Sequence, residues 1–482
     1  MSTQHPDNVR PPFFADSTVI GGDDEIKEAF YAFSHIDCRE QLWDFEGKEV
    51  DNYVVKKLLT KYEPFFQRRK LGRDVFLTLR VPNPGVERGE AKILLETLES
   101  IPRSYDVARA FYGEDIAPIF EITLPMATSA IAMRRIKEYY RKMIVGRENQ
   151  SIIAGDIPIS QWIGEFNPKD INVIPLFEDH ETILNAAKIT EEYLKGQDIA
   201  YQRVWLARSD PALNYSSLAA VLMIKIGLQR LHLLQEKSSV EIFPILGTGS
   251  APFRGNLKPT NAGHILKAYP SVQTFTIQSA FKYDYSEDLV QKAVRSLAAS
   301  PRGRPIEVEE AAVLPIIKKL SEEYQKQVSL LSGMVNDFSR YIPPRRKRKL
   351  HIGLFGYSRS LKGIKLPRAI TFAASLYSIG LPPEILGLNV LSARELDAVR
   401  SITPHLDEDM QDALQFFNKD SLGFLPNEIQ KKTKQAVAMF KFDVDPRHKK
   451  VTDIIREDYH KKNLISLEEN ITRAASIRGF LG

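Results

Sequence analysis

Ile171–Phe177 (INVIPLF) and Val204–Ala207 (VWLA) are two apolar, β-rich runs, and each leads into an acid. Glu178 follows the first directly, and Asp210 follows the second after Arg208 and Ser209. The polar stretch between them, from about Asp179 to Lys195, has helical character. The pattern predicts strand, crossover helix, strand, with a parallel pairing that puts both acids on one sheet edge. In α/β barrels and open α/β sheets, the carboxyl edge is where ligands bind. Two carboxylates on neighbouring strand ends suit an oxygen-liganded Mg²⁺ or Mn²⁺ that completes its shell with water and substrate. A strand-terminal acid is also the ordinary N-cap of the helix that follows, so chemistry is implied only by recurrence of the pattern.

The pattern recurs. Val75–Val81, Pro118–Leu124, Val240–Leu246, Val272–Ile277 and Leu350–Phe355 are further short β-rich runs. Helical stretches such as Glu87–Glu99 and Thr128–Met143 lie between them. Short apolar strands alternating with helices predict a parallel sheet. With the two runs above the count is seven, and the N-terminal segment is available as an eighth. The expected fold is therefore α/β, a TIM-type (β/α)8 barrel elaborated with additional helices. The chain from about Pro382 to Gly482 reads as a helical C-terminal region, with helical spacing in Asp409–Phe417 and Asp453–Tyr459. A chain of 482 residues would allow roughly three domains by length alone. No repeat, linker or composition break divides it, so one elaborated domain is expected, with the barrel over about 1–380 and the helical extension over about 381–482.

Composition narrows the class. Apolar residues make up 43% and charged residues 26%, the balance of a globular protein. The formal charge of +5 does not imply nucleic acid by itself. The single cysteine, Cys38, excludes an intrachain disulfide and favours the cytoplasm. MSTQHPDNVRPPFF lacks the basic-then-apolar order of a signal peptide, and no apolar run approaches the roughly 20 residues that span a bilayer. The basic run Arg345–Lys349 is expected to be a solvated loop or subunit contact. Read as an RNA-binding footprint, it lacks any aromatic or glycine-rich module beside it.

The strand ends gather the candidate site. Arg80 closes the Val75 run, and Gly247–Asn256 follows the Val240 run with Arg254 inside it. Arg359 and Arg368 follow the Leu350 run. Glycines let backbone N–H groups approach an anion, and an arginine supplies a fork for phosphate or carboxylate. Four arginines set against two acids would be costly to desolvate unless an anionic ligand completed the site, so a small polyanionic substrate is expected. His5, in STQHPDNV, is the remaining candidate, because imidazole titrates near neutrality and carries protons.

STQHPDNV, WDFEGKEVD, FLTLRVPNP, IPRSYD, APIFEITLPM, PLFED, ARSDPALNYSS, GTGSAPFRGNL, TFTIQSAFKYD, GYSRSL, LPRAI and RAASIRGFLG together resemble the archaeal-type phosphoenolpyruvate carboxylases, along the whole chain. The resemblance implies His5 and Arg254 as catalytic residues, and Arg80, Arg254, Arg359 and Arg368 as substrate-binding residues. It implies Glu178 and Asp210 as ligands of Mg²⁺, with Mn²⁺ able to take its place. The substrates would be phosphoenolpyruvate and bicarbonate, and the products oxaloacetate and phosphate, formed through carboxyphosphate and pyruvate enolate. A homotetramer, inhibition by aspartate or malate, and no nucleic-acid or membrane partner are also implied. Arg359 is the loosest match in spacing. The chain departs from the longer bacterial enzymes at Leu246 and Thr248, where those have histidine and arginine, and at Leu213, where they have lysine. It also ends in GFLG where they end in NTG. A metal-dependent aldolase or phosphotransferase of the same pyruvate-handling barrel superfamily shares the two acids and an arginine, but would not need His5 and the Arg359/Arg368 pair.

Overall fold

The computed structural model describes residues 1–48, 50–347, 359–361 and 363–482, with the main chain alone for 359–361. The fold is mixed α/β. Seven strands form one curled sheet in chain order: β1 (Glu40–Asp44), β2 (Phe76–Arg80), β3 (Glu121–Leu124), β4 (Asn172–Phe177), β5 (Tyr201–Ala207), β6 (Glu241–Gly247) and β7 (Thr274–Phe275). Every neighbouring pair is parallel. Six of these strands fall on the β-rich runs of the sequence. The seventh member is β1, and the Leu350–Phe355 run lies outside the described residues. A separate antiparallel hairpin, β8 (Arg359–Leu361) and β9 (Ile364–Leu366), leads into the C-terminal helices.

The N-terminal residues bond to both ends of this sheet. Ser2 bridges Gln41 in β1 and Ile277 just after β7. Ser2 N donates to Glu40 O at 2.7 Å, Leu42 N to Ser2 O at 2.8 Å, Thr3 N to Ile277 O at 3.0 Å, and Ile277 N to Met1 O at 2.9 Å. Residues 1–3 thus occupy both outer ladders, and the chain leaves them at the carboxyl edge with His5.

Alternation along each strand separates two cores. Leu79, Ile122, Val173, Phe177, Leu206 and Leu246 pack outward into the large apolar core beneath the helices. Leu42, Ile174, Leu176, Trp205, Ala207 and Ile245 form a smaller cluster on the other, inner face. At the amino end, the inner face is ionic. Arg203 Nη1 lies 2.6 Å from Glu40 Oε1 and 2.8 Å from Glu121 Oε2. Glu40 holds its charge, its carboxyl lowered by Arg203 against the cost of burial. At the carboxyl end, the inner positions are Asp44 and Arg80, paired in register.

The helix Ser217–Lys237 is long and apolar enough to cross a membrane, but 72% of its most apolar stretch is buried in the fold. Its start is capped by Ser216, whose side chain accepts from Ala219 N at 3.1 Å. No strand follows β9 among the described residues, as the helical reading of the tail expects. The tail reaches the sheet's carboxyl edge: Leu481 N donates to Asp7 O at 2.7 Å.

The basic run differs from expectation. Arg346 is fully buried, with Nη1 2.9 Å from Glu25 and Nη2 2.5 Å from Glu28 on the first helix, Asp23–Ser34. Arg345 is buried as well, its Nε donating to Val9 O at 3.2 Å. Both are internal struts: paired acids offset the cost of burying the Arg346 charge, while Arg345 is held by main-chain carbonyls. Arg348 and Lys349 lie outside the described residues.

Candidate active site

Glu178 follows β4 and Asp210 stands two residues after Arg208, which follows β5. The two strands are neighbours, with Leu176 opposite Trp205 and Phe177 opposite Leu206. Both acids line one cavity of about 90 Å³ at the carboxyl edge, together with His5, Arg80, Arg254 and Arg368. Neither acid serves as a helix cap. Asp179 caps the helix His180–Leu184, accepting from Thr182 N at 3.0 Å, and Arg208 occupies the N-cap position of the helix Ser209–Tyr215. Glu178 Oε2 accepts from Met126 N at 2.8 Å, which fixes it to the turn after β3.

The oxygen donors of Glu178 and Asp210 fit a hard divalent cation. Among the described residues no group of three His, Cys, Asp or Glu gathers, so water or substrate would supply the remaining ligands.

Two of the arginines, Arg80 and Arg254, arrive already held. Arg80 Nε donates to Asp44 Oδ1 at 2.7 Å and its Nη2 to Asp44 Oδ2 at 2.6 Å, while Glu46 Oε2 lies 3.1 Å from Nη2. Lys48 Nζ pairs with the same Asp44 carboxylate. Arg254 is 2% exposed and uses four of its five N–H donors: Nε on Ser209 Oγ at 3.1 Å, Nη2 on Gln278 Oε1 at 2.5 Å, and Nη1 on Asp7 Oδ2 at 3.1 Å and Gly482 O at 3.0 Å. The glycine-rich turn makes this possible. A Cβ on Gly249 would sit 2.9 Å from Arg254 Nη1, and Gly255 has φ +125°, which L side chains rarely adopt. Burial pushes the Asp7 carboxyl up, against the pull of Arg254 and of the amides of Ala280 and Ser250.

These pairings compensate Arg80 and Arg254 with acids that the sequence reading, which set four arginines against two acids, did not include. Among the described residues, five cations (Lys48, Arg80, Arg208, Arg254 and Arg368) meet five acids at or just behind the cavity wall (Asp7, Asp44, Glu46, Glu178 and Asp210). Nearby, burial and the charge of Glu46 push Glu87 up to about 7.

His5 is oriented by Thr3. Thr3 Oγ1 lies 2.9 Å from His5 Nδ1 and 3.3 Å from Ile277 O, so the hydroxyl ties the ring to the main chain after β7.

The described residues bring His5, Arg80, Glu178, Asp210, Arg254 and Arg368 together. The side chain of Arg359 lies outside them. Leu246 and Leu213 are core residues, and Thr248 bonds to Thr276 through its N–H at 2.7 Å and its hydroxyl at 2.8 Å, so all three positions serve packing. Sequence reasoning missed Asp7, Asp44, Glu46, Lys48 and Arg208. It also missed Trp205, which lines the cavity and whose buried indole N–H has no acceptor among the described residues. For Asp44 the signal was present: it ends a strand as Glu178 does, but EQLWD is too polar to read as β.

A family model described as phosphoenolpyruvate carboxylase matches residues 1–482. The chain is similar to the phosphoenolpyruvate carboxylase of Methanothermobacter thermautotrophicus, 53% identical over all of this chain and 99% of the relative. It is likewise similar to those of Methanospirillum hungatei and Pyrococcus abyssi, each 49% identical over all of this chain and 99% of the relative. On the full-length match and on these identities, the chain belongs to the phosphoenolpyruvate carboxylase family.

Proposed function

We propose that the chain carboxylates phosphoenolpyruvate with bicarbonate, irreversibly, to oxaloacetate and phosphate, in the cavity at the sheet's carboxyl edge. The observation that carries this reading is the meeting there of Glu178 and Asp210, from adjacent strand ends, with His5, Arg80, Arg254 and Arg368. The continuous ladder from β1 through residues 1–3 to Ile277 supports a closed (β/α)8 barrel within one catalytic domain.

Arg80, Arg254 and Arg368 bind the phosphoryl and carboxylate oxygens of the substrate and neutralise charge as it develops. Arg359 is proposed with them on the resemblance alone. A divalent ion on Glu178 and Asp210, Mg²⁺ with Mn²⁺ able to substitute, supplies Lewis-acid stabilisation of negative charge on substrate oxygen. A bicarbonate oxygen attacks phosphorus and the bond from phosphorus to the enol oxygen breaks, giving carboxyphosphate and pyruvate enolate. His5 Nε2 takes the carboxyl proton of carboxyphosphate as its C–O bond to phosphate breaks, releasing CO₂ and phosphate. The enolate carbon then captures CO₂. The buried wall of Leu176, Trp205 and Ala207 keeps water from protonating the enolate to pyruvate. Lys48 and Arg208 supply cavity cations that Thr248 and Leu213 do not. The physiological role proposed is anaplerotic supply of oxaloacetate in the cytoplasm by a homotetramer inhibited by aspartate or malate.

A malate dehydrogenase-coupled assay tests the reading. NADH oxidation should depend on bicarbonate, and pyruvate as the main product would favour the aldolase or phosphotransferase alternative. His5→Asn should fold and lose carboxylation. Full carboxylation by that variant refutes the role given to His5.

A further inference from the structure

A second cavity, of about 40 Å³, lies behind the glycine-rich turn, walled by that turn, by the helix Ser217–Lys237 and by the start of the helix Leu406–Leu414. Arg208 lines both this cavity and the candidate active site. It is 3% exposed. Its Nη2 donates to Ser217 Oγ at 2.8 Å, and the Tyr269 hydroxyl is a further, looser partner of the guanidinium. Among the described residues its Nε and Nη1 meet no acceptor in good hydrogen-bonding geometry. A buried guanidinium with two unmatched donors is costly unless something in the cavity accepts from it.

The other walls point to the same kind of occupant. Lys225, 2% exposed, donates to Ala268 O and sits 4.4 Å over the Tyr269 ring. Burial pushes its ammonium down to about 7, a burden that a neighbouring anion relieves. Asn256 Nδ2 donates to Asp409 Oδ1 at 2.7 Å and Asp412 Oδ2 at 2.9 Å, which fixes the amide orientation. Its buried Oδ1 is left without a donor. Arg208 with two unmatched donors, Lys225, and Asn256 with one unmatched acceptor line the space, together with Asp409 as the acid and the rings of His264 and His405. Water would satisfy the donors as well, but Asp409, whose charge reaches both Arg208 and Lys225, offsets only one of the two cations and leaves the other to an anion. A water-sized group needs about 10–15 Å³, so the cavity has room for about three, the size of one small oxyanion.

We propose that this cavity binds a small inorganic oxyanion, bicarbonate or phosphate, through Arg208, Lys225 and Asn256. The anion's oxygens accept from Arg208, and its hydroxyl donates to Asn256 Oδ1. Because Arg208 precedes Asp210 by two residues, an anion here steadies the turn that carries one of the two strand-end acids. The proposal rests on the geometry of this cavity and is independent of the carboxylase reading.

The test is titration calorimetry on the full chain without divalent metal, with sodium phosphate and sodium bicarbonate in separate arms. In the parent chain a saturable class of sites should persist when phosphoenolpyruvate is raised until it saturates the first cavity of the metal-free chain. Lys225→Met, and Val221→Phe, which fills the second cavity while keeping its cations, should each weaken that class at least tenfold. Arg80→Gln should leave it unchanged. The arm that shows the class identifies the anion. Loss of all anion binding in Arg80→Gln, or a persistent class that neither second-cavity variant changes, overturns the proposal, as does the absence of saturable binding in both arms. If phosphoenolpyruvate displaces nothing while the second-cavity variants still weaken binding, the reading of the first cavity fails and this one stands.

Discussion

Replacing Asp44 with asparagine tests whether the site works by holding its arginines in advance. Asp44 is fully buried and accepts both Nε and Nη2 of Arg80, and Lys48 as well. The substitution keeps the shape. It removes the charge, and it turns one accepting oxygen into an amide that faces donors with a donor. At least one charge-assisted hydrogen bond is lost, each worth about 1.5–3 kcal/mol, and breaking a buried ion pair outright costs about 3–5 kcal/mol. Glu46, 3.1 Å from Arg80, retains part of the interaction, so the lower end, about 3 kcal/mol, is expected. If that loss falls on the placement of Arg80 in the transition state, kcat/KM for phosphoenolpyruvate drops roughly 100-fold.

The assay is bicarbonate-dependent NADH oxidation through malate dehydrogenase, with folding checked by urea denaturation. Glu46→Gln should lose less, because it removes the longer of the two contacts. The decisive measurement is the double variant. If Asp44 acts through Arg80, then Asp44→Asn combined with Arg80→Gln is no worse than Arg80→Gln alone. Additive losses, or kinetic constants for Asp44→Asn within twofold of the parent, refute the reasoning.

Two further outcomes are expected. Glu178→Gln and Asp210→Asn should each weaken Mn²⁺ binding by roughly tenfold or more, read from the free-ion electron paramagnetic resonance signal without turnover, whereas Glu46→Gln should leave it nearly unchanged; equal affinity in all three sinks the two-acid assignment. Glu384 is buried, accepts the Tyr377 hydroxyl at 2.5 Å, and is pushed up to about 7 by burial. Between pH 4.5 and 7 the folded chain keeps a proton that the unfolded chain has released, so this group's contribution to stability falls as pH rises through that window and is constant above it. Glu384→Gln, which mimics the protonated form, should match the parent near pH 4.5 and exceed it by about 3 kcal/mol at pH 8, measured by urea denaturation. A difference that does not change with pH contradicts this.

The sequence carried the sheet wherever both faces of a strand are apolar. Ile174, Leu176 and Phe177 in β4, and Val204, Trp205 and Leu206 in β5, bury side chains on both faces and read as continuous β-rich runs. β1 failed that reading because its inner face carries Glu40 and Asp44 on either side of Leu42. Its stability comes from partners far away in sequence, Arg203 for Glu40 and Arg80 for Asp44. Residues 1–3 were equally illegible: Met-Ser-Thr has no pattern, and its place between β1 and Ile277 is set by main-chain bonds alone. The strand-end rule found Glu178, Asp210, Arg80 and Arg254 because it asks which groups face the cavity. It is blind to groups such as Asp7, which sits on no strand end and acts on other side chains, and it passed over Asp44 because β1 did not read as a strand.

That blindness bears on how the site would work. Read as four arginines and two acids, the site would wait for an anion to make it stable, and its geometry would depend on the ligand. In the structure, Arg80 is fixed by Asp44 and Glu46, and Arg254 by Asp7, Gln278 and Ser209. Donors fixed this way need little reorganisation as charge develops, and that is where preorganised electrostatics lowers barriers most. Among the described residues the acids balance the cations, so a divalent ion on Glu178 and Asp210 would tip that set to net positive. Affinity for an anionic substrate would then be gated by the metal and not by the arginines alone. The ordering is therefore open to measurement: phosphoenolpyruvate should bind the metal-free chain weakly, and adding Mn²⁺ should tighten it by more than restoring Arg80 to an Arg80→Gln variant does. Equal affinity with and without metal would show that the arginines carry uncompensated charge after all.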